Sequence, residues 1–503
     1  MDSISRLSIR AFSFLFFEVL LLFSPEYRSS KAAEKACGIL KSRFPHLTSF
    51  PGALQFNNDT EHWAISSHQN ATCSIEPGDA YDLSGIIKII GRSDIRSPFA
   101  VKSGGHALAQ GYSSTLGVQI SMSKFSTILY DEDSNTVTLG TGLTWGEVYK
   151  RLEMFGVMVP GARVGPVGVG GFSLGGGYSW KTDQYGLAID NIVGFELVLP
   201  SGEISNVTNK SNPDLFFALK GGLYNFGIVT KITFKTHAQS LGGIIIYPEN
   251  ATLQVSKALE GFSLSNSDPR AEVIVGYIIN GGEFVLGAAL FYDNSTDNAG
   301  IFDEFLSIAS ISTTVKTSTF TEFLSSMRLL FEFGYFGVAT YPVPITEYTT
   351  SFLNEVVTQL KSTELRLRLQ YPSLAINVSY YAEPFVNANA HSLGGAYPHD
   401  PARPTTPSLC FLSYSVDTNL SSGERARLQA VFAAELRHLC HTIQSYAVSE
   451  GTSRWDDILY PNYSPPDAPL ELFYGSNVPR LKEIAARVDP EKIMTLAGTL
   501  GFQ

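Results

Sequence analysis

The chain is short of sulfur and of charge. Its 503 residues contain four cysteines, six methionines and only 17% charged side chains. Lysine and arginine occur singly or in scattered pairs, and the formal net charge is −11. A nucleic-acid partner, which needs a basic face, is therefore not expected. No Cys/His cluster has zinc-ligand spacing. His438-Leu439-Cys440-His441 puts two histidines within reach on one helix face but lacks further ligands, so no metal is expected. The apolar stretch 11–23 is too short for a membrane span, and no stable membrane partner is expected. There is no Gly-x-Ser-x-Gly elbow, so hydrolase chemistry has no support. The glycine spacing of Val167-Gly168-Val169-Gly170-Gly171 is wrong for a nicotinamide fingerprint. No internal repeat and no low-complexity tract is found.

Aromatic side chains are plentiful, with 33 Phe and 23 Tyr. Most belong in a core, and some suit a pocket for a planar or apolar substrate. The length allows two or three core-forming units. Arg6 and Arg10 precede the apolar stretch, the pattern of a secretory signal peptide, with cleavage expected between 24 and 33. Acceptor patterns for N-glycans recur at Asn58, Asn70, Asn206, Asn209, Asn250, Asn294, Asn377 and Asn419. The even number of cysteines allows disulfides, with three possible pairings. Both features point to the secretory pathway. Asn462 also fits the glycan pattern but is expected to be bare, because it falls in a candidate site.

Three segments carry the chemistry. The first is Val101-Lys102-Ser103-Gly104-Gly105-His106, where a strand-like end opens into a double-glycine loop. Two residues without Cβ let backbone N–H groups approach an anion such as a pyrophosphate. The histidine that follows can act as nucleophile and proton carrier. The second is the run from Pro160 to Gly177, which includes Arg163, Val164, Gly168, Gly170, Gly171, Gly175 and Gly176. So many glycines argue against helix interior or ordinary strand and suit a backbone lying along a large planar ligand. The third runs from Asp214 to Val229, a helix-like stretch broken by glycines before a strand.

In this order and spacing the three segments resemble the FAD-binding domain of the vanillyl-alcohol-oxidase superfamily, and in particular the berberine-bridge-enzyme-like, FAD-linked oxidases. The resemblance covers about 37–237 and returns at the C-terminus. It implies an α+β architecture: a two-subdomain, PCMH-type FAD-binding domain over 37–240, an antiparallel-sheet substrate domain backed by helices over 241–454, and a segment over 455–503 that returns to the FAD domain. It implies FAD as cofactor, joined to His106 through the flavin 8α-methyl carbon. Lys102, Ser103, Gly104 and Gly105 would form the pyrophosphate loop, and Gly168, Gly170, Gly171, Gly175 and Gly176 would line the ring and ribityl chain. Asn191, Gly227, Ile228 and Val229 would complete the site. Many relatives have a cysteine at the position of Val164, which makes a second flavin bond; here only one tether is expected. Val169, small and beneath the ring, could admit oxygen. The family also has a disulfide where Cys37 and Cys73 stand. Cys410 and Cys440 could form another or remain buried thiols.

Tyr460-Pro461-Asn462-Tyr463 resembles the family's Tyr-x-Asn-Tyr signature, in which the second tyrosine lies over the substrate. Tyr463 is then the candidate base, with Asn462 and Tyr460 beside it. A phenol titrates near pH 10, so a neighbouring cation or donor must lower it for that task. The implied reaction takes a hydride from a small organic substrate, such as a specialised metabolite, with dioxygen reoxidising the flavin to give hydrogen peroxide. An oligosaccharide or alcohol oxidase, and a redox-inactive flavin scaffold or pericyclase, are the alternative readings.

Periodicity places helices at 79–90, 145–155 (with Thr144 as N-cap), 301–309, 349–360 and 480–488. Strands are expected at 118–122, 136–139, 192–199, 229–234, 243–247, 271–279, 283–292, 375–381 and 409–416. Asn280-Gly281-Gly282 should close a hairpin. The stretch 385–406, rich in Pro, Gly, His and Asn, is expected as a long connection at the solvent side or over the pocket.

Overall fold

The structure, a computed structural model, describes residues 25–238, 241–294, 300–327, 336–417, 419–498 and 501–502. The apolar leader lies outside these residues. The expected cleavage zone overlaps the helix Pro25–Arg43. Among the described residues no helix is long and apolar enough to cross a membrane.

Among the described residues, the N-terminal half contains two small sheets and a two-stranded pair, Val157–Met158 with His237–Ala238. In the first, Cys73–Ile75, Val118–Ser121 and Phe99–Lys102 run parallel, and Thr48–Ser49 adds an antiparallel edge. The helix Ala80–Ile90 supplies the crossover. Asp79 caps it by accepting from the Tyr81 and Asp82 N–H groups, and Leu83, Ile86, Ile87 and Ile90 form its buried face. Cys37 and Cys73 form a disulfide that joins the first helix to this sheet. In the second sheet, Ile128–Asp131, Thr136–Gly140, Ile228–Lys235, Ile192–Val198 and Ile204–Val207 are neighbours in that order, all antiparallel. The helix Trp145–Leu152 begins where the Thr144 N–H and hydroxyl both donate to Glu147 (2.7 Å each).

The second half is a seven-stranded antiparallel sheet in the order Ser312–Thr313, Leu241–Tyr247, Glu283–Tyr292, Ala271–Asn280, Ile376–Ala382, Thr406–Ser415, Phe336–Ile345. Its central strands are apolar on both faces because both faces are covered. Val273, Val275, Tyr380, Cys410 and Leu412 pack toward the helices Thr252–Ser265, Thr350–Gln370 and Ser422–Glu450. Ile274, Tyr381 and Phe411, one residue out of phase, join the core shared with the N-terminal half. Asn280 pairs with Glu283, and Gly281 and Gly282 take positive φ (58° and 90°), as a two-residue hairpin turn requires. The C-terminal segment packs back on the N-terminal half through Leu459, Tyr460 and Tyr474.

Several expectations need correction. Val169–Leu174, inside the glycine run, is a short helix, although so many glycines argued against helix interior. Val169 is wholly buried and does not line the cavity described below, so it opens no oxygen path there. The strand Phe336–Ile345 was not anticipated, because Pro342 and Pro344 argue against a strand. Among the described residues it pairs only with Thr406–Ser415, and an edge strand tolerates prolines. The connection 385–406 runs along the solvent side, with Leu393 and Asp400 exposed, but is anchored by the buried Phe385, Ala388, Tyr397 and His399, and none of its residues lines the cavity described below. Two carboxylates hold it down. Asp183 accepts from the Val386 and Asn387 N–H groups (2.9 and 2.8 Å), and Asp190 accepts from Leu393 N–H (2.9 Å) and contacts His399 Nε2 at 3.0 Å. Asn377 lies buried in a central strand, where no glycan fits. Asn294 is half-buried, and the other six expected glycan sites are exposed. Cys410 and Cys440 are buried free thiols.

Candidate active site

The strand Phe99–Lys102 delivers the Ser103–His106 loop into a cavity between the two halves of the molecule. The loop meets the glycine run backbone to backbone. A Cβ on Gly104 would lie 2.7 Å from Gly168 Cα, and one on Gly168 would lie 2.3 Å from Gly104 N. Only glycine permits that approach. Ser103 ties the loops, its hydroxyl donating to the Thr141 carbonyl and accepting from Gly170 N–H (3.2 Å). Gly105 has φ +69°.

His106 stands at the cavity wall with its ring 4.5 Å from that of Trp63. Its Nδ1 is closed off from solvent and has no hydrogen-bond partner among the described residues. Burial lowers the imidazole pKa to about 4, so the ring is neutral at pH 7 and a lone pair is free. An unpartnered buried nitrogen beside two glycine-lined loops fits a bound flavin.

The C-terminal motif enters from the opposite side. A Cβ on Gly175 would fall 2.3 Å from Asn462 Oδ1, so the glycine leaves room for this side chain. Asn462 Nδ2 donates to the Tyr460 hydroxyl (2.9 Å) and to the Phe172 carbonyl (3.3 Å), and Gly177 N–H donates to the same phenol (3.2 Å). Burial raises the Tyr460 pKa to about 12. The Tyr463 ring meets Tyr460 edge-on at 4.9 Å.

Tyr463 belongs to a buried triangle. Arg163 Nη2 donates to its hydroxyl, which donates in turn to Glu383 Oε1 (3.2 Å). Arg163 Nη2 lies 3.0 Å from Glu383 Oε2 and forms an ion pair with it. The cation expected beside Tyr463 is thus present, but the outcome is opposite to expectation. Burial pushes the phenol pKa well above its ordinary value and outweighs the lowering by Arg163. Burial also raises the Glu383 carboxyl, against Arg163, whose own charge survives burial because Glu383 and Tyr463 support it.

Of the residues anticipated from sequence, Ser103, Gly104, Gly105, His106, Gly168, Gly170, Gly171, Ile228, Val229, Tyr460, Asn462 and Tyr463 line this one cavity. Five do not. Lys102 turns to the Asn58 carbonyl (3.0 Å). Gly175 makes room for Asn462, and Gly176 packs on Tyr397 and Tyr460. Asn191 bonds the carbonyls of Tyr185 and Leu187, so it fastens a turn. Gly227 supplies a φ of +138° where a side chain would strike the Val198 carbonyl. Val164 lines the cavity and offers no nucleophile. Arg163 and Glu383 had been given no role. Arg163 is the one charge inside the glycine run, which was a usable signal; Glu383 had none beyond its place after an apolar strand.

Residues 71–208 match a family model described as FAD binding domain. An uncharacterized FAD-linked oxidoreductase of Arthroderma benhamiae is 40% identical over 252 residues, 49% of this chain and 50% of that protein. This chain thus aligns with about half the length of that relative. The FAD-dependent monooxygenase drtC of Aspergillus calidoustus is 27% identical over 482 residues, covering 89% of this chain and 86% of its own. Among solved structures, wild-type Physcomitrella patens BBE-like 1 superposes with a TM-score of 0.73 at 18% identity, over 93% of this chain and 99% of that one. The chain carries an FAD-binding domain of the PCMH type, in the fold of the berberine-bridge-enzyme-like oxidases. FAD is its cofactor, and the matching relatives are named as an FAD-linked oxidoreductase and an FAD-dependent monooxygenase.

Proposed function

We propose that this chain is an oxidase of the secretory pathway that carries FAD on a single covalent bond to His106 and acts on a small organic molecule. The observation that supports this most is the convergence, in one cavity, of the unpartnered His106 Nδ1 with the Tyr463–Glu383–Arg163 triangle. When bound, FAD accepts two electrons from the substrate and passes them to dioxygen, giving hydrogen peroxide. His106 contributes a neutral, desolvated nitrogen, the form a nucleophile requires. Val164 supports the single attachment, since it has no sulfur to make another.

The proton chemistry belongs to the triangle. Tyr463 resists ionisation, so it serves as a relay rather than a stored base. Its oxygen takes the substrate proton as its own proton moves to Glu383 Oε1, 3.2 Å away. Burial makes Glu383 a better proton acceptor than an ordinary carboxylate. Arg163 holds both groups in place and balances the charge that the transfer moves.

The test is anaerobic mixing of the purified protein with panels of phenolic metabolites, alcohols and sugars. The oxidase reading expects at least one donor to bleach the flavin, with colour and stoichiometric peroxide returning on admission of air. No bleaching while a tight ligand is bound would favour the redox-inactive scaffold alternative, and recolouring by dioxygen without peroxide would refute the oxidase reading.

A further inference from the structure

We infer, building on the substrate reading of this cavity, that Arg163 Nη1 is the binding donor for an ionised or strongly polarised oxygen on an otherwise apolar, ring-containing substrate. Two independent observations carry this. The first is the state of the guanidinium. Its side chain is only 10% exposed, and Nη2 serves both Tyr463 and Glu383. Nη1 belongs to the same cavity-lining residue, yet it is buried and has no hydrogen-bond partner among the described residues. A buried cationic N–H left unmade is costly, and a planar fork with spare donors is suited to an anionic oxygen. The ring of Phe385, 5.4 Å below the guanidinium, holds its plane but takes none of its hydrogen bonds.

The second observation is the opposite wall. The large sheet presents Ile274, Tyr381, Leu409 and Phe411 to the cavity, and Trp63 closes the side next to His106. Thr340 is the one aliphatic hydroxyl among the sheet residues there. A sugar carries a hydroxyl on nearly every carbon, and each needs a partner when buried. This wall cannot supply them. It suits a flat hydrocarbon framework, with its single acidic oxygen at the Arg163 end. The substrate class is therefore a phenol, an enol or a related conjugated acid, and not an oligosaccharide.

The probes are 4-nitrophenol and 4-nitroanisole, which share a ring and differ in one ionisable oxygen. They are titrated into the full-length flavoprotein above the dye's own titration pH, and binding is read from dye and flavin absorbance. The phenolate should bind at least about tenfold more tightly than the ether, as one charge-assisted hydrogen bond implies. Arg163→Gln should bring that ratio to within about twofold. Because this variant strands Glu383 in the interior, the pair R163Q/E383Q is made alongside it, with flavin content as the check on folding. Equal binding of the two dyes by the unaltered protein overturns the inference without any variant, as does a ratio that survives in both variants. Displacement of the dyes by cellobiose overturns the apolar-substrate class. These titrations need no turnover. A protein that never bleaches refutes the oxidase reading and leaves the dye ratio standing, and a failed ratio leaves peroxide formation standing.

Discussion

Replacing Tyr463 by phenylalanine removes one oxygen from a triangle whose other two members stay in contact. The ring keeps its edge-on packing against Tyr460, and Arg163 and Glu383 retain their 3.0 Å ion pair. The cost to folding is that of lost hydrogen bonds, about 1–3 kcal/mol. The cost to chemistry is larger. A positioned proton acceptor contributes ~10²–10⁴ in rate, equivalent to about 3–5 kcal/mol of barrier. Stopped-flow bleaching of the flavin under anaerobic conditions should therefore slow by that factor, with flavin content unchanged because the substitution leaves His106 untouched. Glu383→Gln should slow it comparably, since the relayed proton then has no carboxylate to reach. If the two act as one relay, the double variant is no slower than the slower single variant by more than about threefold. Bleaching by Tyr463→Phe at the unaltered rate would refute the relay. Fully additive losses would refute the coupling between Tyr463 and Glu383.

Gly168→Ala should abolish most flavin retention, because its Cβ would lie 2.3 Å from Gly104 N and part the two loops; the ratio of visible to protein absorbance measures this. Loss of the Cys37–Cys73 bond, which spans 36 residues, should cost about 4 kcal/mol in denaturant unfolding by the chain-entropy argument. Asp183 holds its proton up to about pH 7 when folded and releases it near 3.8 when unfolded, because burial raises it. Its contribution is complete below the lower value and is lost as pH rises through the upper one, on the order of 4 kcal/mol. Asp183→Asn should flatten the decline in thermal stability between those limits, and an unchanged pH profile would contradict the assignment.

What was readable in the sequence was local. The Ser103–His106 loop and Tyr460–Tyr463 are legible because each is a short contiguous motif, although the contacts that require Gly104 and make room for Asn462 come from Gly168 and Gly175, far along the chain. The hairpin at Gly281 and Gly282 was legible for the same reason. The strand Phe336–Ile345 was hidden by two prolines that an edge position tolerates, and the helix Val169–Leu174 by Gly170 and Gly171, the first of which packs closely on Ser103 and Thr141. The Arg163–Glu383 pair was invisible because its partners lie in different halves of the chain and meet only when the large sheet closes over the glycine loops. The direction of the Tyr463 shift was likewise unreadable, since burial, which decides it, is a property of the assembled fold.

The most direct measurement is the fate of the flavin when the purified protein is precipitated in acid and its peptides are mapped by mass. The account predicts that the yellow colour stays with the pellet, that the peptide containing His106 carries the added mass of FAD on that residue alone, and that His106→Ala releases the colour to the supernatant. An unmodified His106 peptide with freely dissociable flavin, or an acid-stable flavin in the alanine variant, would contradict it.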